Sequence, residues 1–176
     1  NVLAQQGGYV LGTMGALLTK SNVIGVTGPI ETGDAKLYVD GFKAGALAAK
    51  PDVQVNVSYT GSFSDVSLMA AAAETHVQAG ADILTGTSQS AVGTIGVAKE
   101  KGVYYLCQQW DQISLAPDSV VACQIYNFVD VVKDIIETHN AGVAGGKVYT
   151  LSFKNGGLEL IYNDKVELPA DVKERF

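Results

Sequence analysis

Gly80-Ala-Asp-Ile-Leu-Thr85, then Gly86-Thr-Ser-Gln-Ser90, an Ala- and Gly-bearing stretch to Lys101, and Gly102-Val-Tyr-Tyr-Leu-Cys107 form the passage that decides the fold. A short apolar, β-branched run leads through a hydroxyl-rich loop into a helical stretch. A glycine then opens a second apolar run. Gly80 and Gly102 each stand just before such a run, where a glycine accommodates the left-handed residue that ends a helix. One strand, one helix and one further strand at this spacing make a βαβ unit, which calls for parallel strands.

The same rhythm runs outward in both directions. Apolar runs occupy 22–27, 53–59, 81–85, 103–107 and 120–125. Helical stretches lie between or beside them at 34–49, 65–79, 90–101 and 128–140. Right-handed crossovers then place helices on both faces of a sheet. The expected class is α/β, with a doubly wound parallel sheet. The ends differ. Residues 7–18 read as an apolar helix with small residues on one face, and with no strand before it this helix has lost the sheet it would cover. The tail alternates from Lys147, turns at Asn155-Gly156-Gly157 and continues through Tyr162, which reads as a β-hairpin or two short strands. Residues 168–176 read as a short helix or a loose terminus.

Composition narrows the function. The 176 residues are 47% hydrophobic and 17% charged, enough apolar surface for a core and unlike a disordered chain. Twelve Lys and Arg against 18 Asp and Glu leave a net charge of −6, which disfavours nucleic acid as a partner. No apolar run approaches the length of a membrane span. The chain opens at Asn1 without a leader, which suits a processed protein or a fragment. Cys107 and Cys123 sit sixteen positions apart on two apolar runs. They read as buried free thiols, with a disulfide the alternative in an oxidising compartment.

In a doubly wound sheet, ligands bind outside the carboxyl ends of the strands. The loops expected there carry hydroxyls, amides, carboxylates and aromatics: 28–34, 60–65, 86–90, 108–112 and 126–128. That mixture suits a neutral polar ligand with a flat ring, stacked by aromatic faces and held through its hydroxyls. Phe63, Thr87, Gln89, Trp110, Asp111, Tyr126 and Phe128 are the candidate ligand-binding residues. Ser62, Ser64, Asp65, Thr87, Ser88 and Ser90 read equally well as helix caps. The Gly142–Lys147 segment has too short a spacer for a phosphate loop, and Val148 stands where Ser or Thr is required. There is no dinucleotide fingerprint and no nucleophile elbow. His76 and His139 read as surface helix residues, and neither has metal-ligand spacing to a partner. No catalytic residue, metal or cofactor is expected.

Several segments, taken in order, carry a resemblance. They are Gly8-Tyr-Val-Leu-Gly12, Ile24-Gly-Val-Thr-Gly28, Asp40-Gly-Phe-Lys-Ala-Gly45 and Tyr59-Thr-Gly-Ser-Phe-Ser-Asp65. Ala79-Gly-Ala-Asp-Ile83, Ala98-Lys-Glu-Lys-Gly-Val103, Asp111-Gln112 and Ala116-Pro117 complete the set. The chain resembles the basic membrane protein (BMP) family of ABC-transporter substrate-binding proteins, which includes bacterial purine nucleoside receptors. The resemblance implies a type I periplasmic-binding-protein fold, two α/β lobes closing on a ligand. Residues 1–20 would be a remnant helix of the first lobe, 21–125 the second lobe, and 126–176 a crossover and partial return to the first. The chain would be the carboxyl-terminal part of a longer protein.

The resemblance also implies roles. Asp111 matches the family's aspartate that contacts ribose hydroxyls. Tyr126 stands where the nucleoside receptors often have lysine, and Tyr126-Asn127-Phe128 is closer to another branch with Trp-Asn-Trp. The implied function is the extracytoplasmic, periplasmic or lipoprotein, component of an ABC importer, binding a nucleoside or related heterocycle and meeting a transporter permease. The alternative is a ligand-sensing domain of a regulator or receptor. Self-association is a further expectation for a fragment with an uncovered helix.

Overall fold

The computed structural model describes residues 1–174. Six strands form one sheet: β1 (Val23–Gly28), β2 (Gln54–Tyr59), β3 (Ile83–Gly86), β4 (Tyr104–Gln109), β5 (Val120–Tyr126) and β6 (Leu158–Tyr162). Their spatial order is β2-β1-β3-β4-β5-β6. The first five are parallel, and β6 joins β5 antiparallel. The central strands are buried on both faces, which is why they read as unbroken apolar runs. Helices α1 (Ala4–Leu18) and α2 (Gly33–Ala49) cover one face, where Leu11, Met14, Tyr38 and Phe42 meet Ile24, Val26 and Leu106. Helices α3 (Val66–Gln78) and α4 (Val92–Lys101) cover the other, with Ala73, Ile95 and Ala98 on Leu84, Tyr105 and Val120. Helix α5 (Val129–Asn140) stands apart from both layers, and the short α6 (Ala170–Lys173) returns to the first. Gly102 ends α4 with φ 66°, the conformation its place before β4 predicts.

Four sequence expectations are corrected. Helix α1 is not left without a sheet. Gly8 and Gly12 on α1 and Gly41 and Gly45 on α2 carry no side chains at the crossing. A Cβ at Gly12 would lie 2.0 Å from the Phe42 carbonyl oxygen. The backbones therefore nearly touch, and α1 shares the core beneath β1 and β4. The tail does not fold as a hairpin: Leu151 bridges Val2, while β6 pairs with β5. Alternation marked a strand correctly and said nothing about its neighbour.

His76 is not a surface residue. It is buried, and its Nε2 lies 3.2 Å from the Val26 carbonyl oxygen, in room left by Gly25. Cys107 and Cys123 are not free thiols. They face one another across β4 and β5, with Cα atoms 4.4 Å apart, and form a disulfide. Both are fully buried on the α3–α4 face.

At the amino end of the sheet, Asp82 ties the α1–β1 turn to β3. It accepts from the Thr19 hydroxyl and from the amides of Lys20 and Ser21, at 2.7 and 2.8 Å. Partial burial raises its pKa, but these bonds outweigh that and hold the carboxyl below its usual range. Residues 168–172 settle Leu168 and Val172 into the core, and of the expected terminal segment 168–176 the last two residues lie outside the described ones. Among the described residues, no helix is long and apolar enough to cross a membrane.

Candidate functional site

Strand order reverses between β1 and β3. The chain leaves β1 for α2 on one face and leaves β3 for α4 on the other, so the two loops part and open a crevice. A cleft of about 340 Å³ lies there. Pro29, Ile30 and the α2 start at Gly33-Asp34 form one wall, and Thr87, Ser88 and Gln89 form the other. Phe63, Gln109 and Tyr126 complete the lining from the loops after β2, β4 and β5. Its size falls in the range of small-molecule sites. A larger hollow of about 600 Å³, along residues 162–168, lies near the opposite end of the sheet, away from these loops.

Four predicted residues are brought together: Phe63, Thr87, Gln89 and Tyr126 all line the cleft. Phe63 is 48% exposed, a ring with no core to occupy. Its loop is held by Ser62 and Asp65. Ser62 Oγ accepts from the amides of Ser64 and Asp65, and Asp65 Oδ1 accepts from Leu68 N at 3.0 Å. The capping reading of these residues and the presentation of Phe63 are thus one arrangement. Ser88 and Ser90 bond each other at 2.8 Å, and Ser88 Oγ accepts from Ser90 N, which fixes the turn before α4.

Tyr126 is the most constrained wall. Its hydroxyl donates to Gln108 Oε1 at 3.1 Å. Burial, with the Asp34 carboxylate nearby, pushes its pKa up to about 12, so the phenol stays protonated at any physiological pH. Beneath the cleft lies a buried hydroxyl set. Tyr38 hydroxyl and Thr85 Oγ1 are 2.7 Å apart, and Thr85 Oγ1 donates to the Leu106 carbonyl. Thr27 and Thr94 hydroxyls are 2.8 Å apart. These bonds tie the ends of β1, β3 and β4 to helices on both faces, which makes a rigid floor.

Three predicted residues are not brought into the cleft. Trp110 is 54% exposed and lies beyond Gln109, outside the lining. Asp111 is also exposed, and its Oδ1 accepts from Ile113 N at 2.9 Å, starting a single 3-10 turn. Phe128 meets Tyr126 edge to face at 6.3 Å and lines a neighbouring hollow with Ile125, Val129 and Val132. Of the lining residues that were not among the candidates, Asp34 and Gln109 matter most to the chemistry of the wall. Among the described residues, Asp34 is the one charged side chain of the cleft wall, and its place after Gly33 in the first loop was its signal. Gln109 lines the cleft from a left-handed backbone, φ 79°, rare for a residue with a side chain. Nothing in its sequence surroundings announces that.

The Bmp family, ABC transporter substrate-binding protein PnrA-like, matches residues 3–176. The chain belongs to this family. Bmp-family relatives include Basic membrane protein A of Borreliella burgdorferi, 29% identical over 168 residues, covering 93% of this chain and 50% of that protein. The ABC transporter nucleoside-binding protein BmpA of Lactococcus lactis is 29% identical over 173 residues, covering 86% and 49%. A solute-binding protein of an ABC transporter system from Conexibacter woesei superposes with a TM-score of 0.77 at 21% identity. That match covers 99% of this chain and 58% of the other, and it speaks for the fold. The chain spans about half the length of the curated relatives it matches. The Bmp family is one of substrate-binding proteins, and the doubly wound sheet agrees with it.

Proposed function

We propose that this chain is one lobe of the extracytoplasmic, lipid-anchored or periplasmic solute-binding component of an ABC importer. It binds a nucleoside or related uncharged heterocycle between itself and a first lobe, and delivers it to a transporter permease. The observation that carries this reading is the cleft at the β1–β3 reversal. Phe63 and Tyr126 offer ring faces, Thr87, Ser88, Gln89 and Gln109 offer neutral hydrogen-bonding groups, and among the described residues no Lys, Arg or His lines the wall. A phosphorylated ligand would meet Asp34 with no cation to answer it. The nucleoside-binding relative supports the same ligand class.

Asp111 belongs to the proposal through its free oxygen. The Ile113 amide occupies Oδ1, which leaves Oδ2 for a sugar hydroxyl brought down by closure. Trp110 and Phe128 then cover the ligand from the rim. The division into 1–20, 21–125 and 126–176 follows the same two-lobe plan, modified by the packing of α1 on this lobe's own sheet. Helix α5 fits a return to the first lobe, because Val129, Val132, Ile135 and Ile136 form an exposed apolar stripe on it. The same stripe is what would drive self-association of the isolated chain.

The test is a calorimetric titration of the complete protein with nucleosides, free bases, sugars and nucleoside monophosphates. Stoichiometric binding of a nucleoside, weakened by Phe63→Ala, supports the proposal. Binding of a sugar or an anion instead overturns it. A regulator's sensor domain would use the same cleft, and it is distinguished by a DNA-binding segment in the complete protein.

A further inference from the structure

The Cys107–Cys123 bond lies where sheet register and cleft meet. β4 and β5 begin in step, with Tyr105 beside Val120. The register then shifts. Leu106 pairs with Ala122, and Cys107 with Cys123, Gln108 with Gln124 and Gln109 with Ile125 follow, so Val121 is passed over. Every position of this pair that reaches the cleft lies beyond the shift: Gln109 at the end of β4 and Tyr126 at the end of β5. Side chains alternate along a strand, so a slip of one residue would turn each of them to the other face.

Beyond the shift, the Cys107–Cys123 bond is the covalent tie between the two strands, beside their ladder and the Tyr126–Gln108 hydrogen bond. The connection between β4 and β5 holds one 3-10 turn, where a parallel crossover ordinarily has a helix packed on the sheet. The cysteines sit one residue beyond the shift, fully buried. Both ends of the bond lead into the rim. Gln112 N lies 3.5 Å from Cys123 Sγ, and Gln108, next after Cys107, receives the Tyr126 hydroxyl.

We propose that the Cys107–Cys123 disulfide is the register lock of the ligand site, positioning Gln109 and Tyr126 without touching the ligand. It rests on the proposed function only for what the positioned residues bind. The bond forms when two thiols give up two protons and two electrons to a disulfide-bearing oxidant, which becomes a dithiol. Dithiothreitol reverses the exchange and is itself oxidised to a cyclic disulfide.

The test uses the complete protein, purified without reductant and compared with the same protein after dithiothreitol. Iodoacetamide under denaturing conditions should leave Cys107 and Cys123 unlabelled before reduction and label both after it. Hydrogen exchange is then read on peptides covering 104–112, 120–128, 23–28 and 83–86. Reduction is expected to speed exchange at 107–112 and 123–127 by about tenfold, with 23–28 and 83–86 unchanged.

Labelling of both cysteines before reduction overturns the proposal. So does unchanged exchange, or a rise equal in all four peptides, which would mark general destabilisation. If the reduced protein does not stay folded, Cys107→Ala with Cys123→Val fills the core without the bond and is read in the same way. Local loosening in a protein that binds no nucleoside in either state supports the lock and counts against the ligand reading alone.

Discussion

Asp111 and His76 show how one side chain can serve structure and still carry a measurable consequence. With one oxygen on the Ile113 amide, Asp111 is oriented before any ligand arrives. Asp111→Ala is expected to weaken nucleoside binding by the complete protein about tenfold or more, the range of a charge-assisted hydrogen bond. An unchanged affinity by calorimetry would remove Asp111 from the site. His76 lies in low-dielectric surroundings that lower its pKa below the usual 6.5, against the raising effect of its bond to the Val26 carbonyl. A pKa lower in the folded state means that the unfolded chain binds the proton more readily. The stability due to neutral His76 is therefore complete above the usual value and drains away as pH falls through it toward the folded value. Urea midpoints should drop between pH 7.5 and pH 5.5, and His76→Gln should flatten that drop. An equal drop in both proteins would assign the acid sensitivity elsewhere. The sequence exposed the cleft aromatic Phe63 and the hydroxyl loop at Thr87, because their residue types are unusual at strand ends. It hid His76, because the periodicity of α3 does not reveal that Gly25 leaves room beneath it.

At the scale of elements, the glycine crossing of α1 and α2 gives the sharpest contrast. Gly12 has the Phe42 carbonyl 2.0 Å from where a Cβ would stand, whereas Gly96 in α4 faces open space. Gly12→Ala should destabilise the protein by about 1–3 kcal/mol, since the helices must part. Gly96→Ala should be neutral or stabilising by about 0.5–1 kcal/mol, from helix propensity alone. Urea unfolding of the two variants checks both, and equal effects would contradict the close crossing. The strands and helices of the middle of the chain were legible because apolar runs, helix caps and glycine stops agreed with one another there. The pairings at the ends were not. Nothing in the alternation after Lys147 indicates that β6 crosses to β5 while Leu151 reaches Val2. The cysteine pairing was hidden for the same reason. Sixteen residues of separation do not tell that β4 and β5 are neighbours, and register, not spacing, brings the sulfurs together.

For the whole molecule, the proposed two-lobe plan would make the cleft half a site. Both walls of the cleft come from this chain, and the α5 stripe of Val129, Val132, Ile135 and Ile136 is exposed. Asp134 on α5 receives Lys147 at 2.7 Å and the Tyr149 hydroxyl, which folds residues 147–149 back along the helix as one subassembly. Ile135→Glu placed in that stripe should lower the melting temperature of the complete protein and raise the solubility of the isolated chain. A change in neither would mean that the stripe stays exposed. The most direct measurement is a calorimetric titration of the complete protein with guanosine and with guanosine monophosphate, repeated on Tyr126→Ala. One guanosine per protein, monophosphate weaker by about a hundredfold, and a marked loss in Tyr126→Ala are predicted, since the cleft offers rings and neutral groups beside a single carboxylate. Equal binding of the two ligands, or guanosine binding untouched by Tyr126→Ala, would contradict the account.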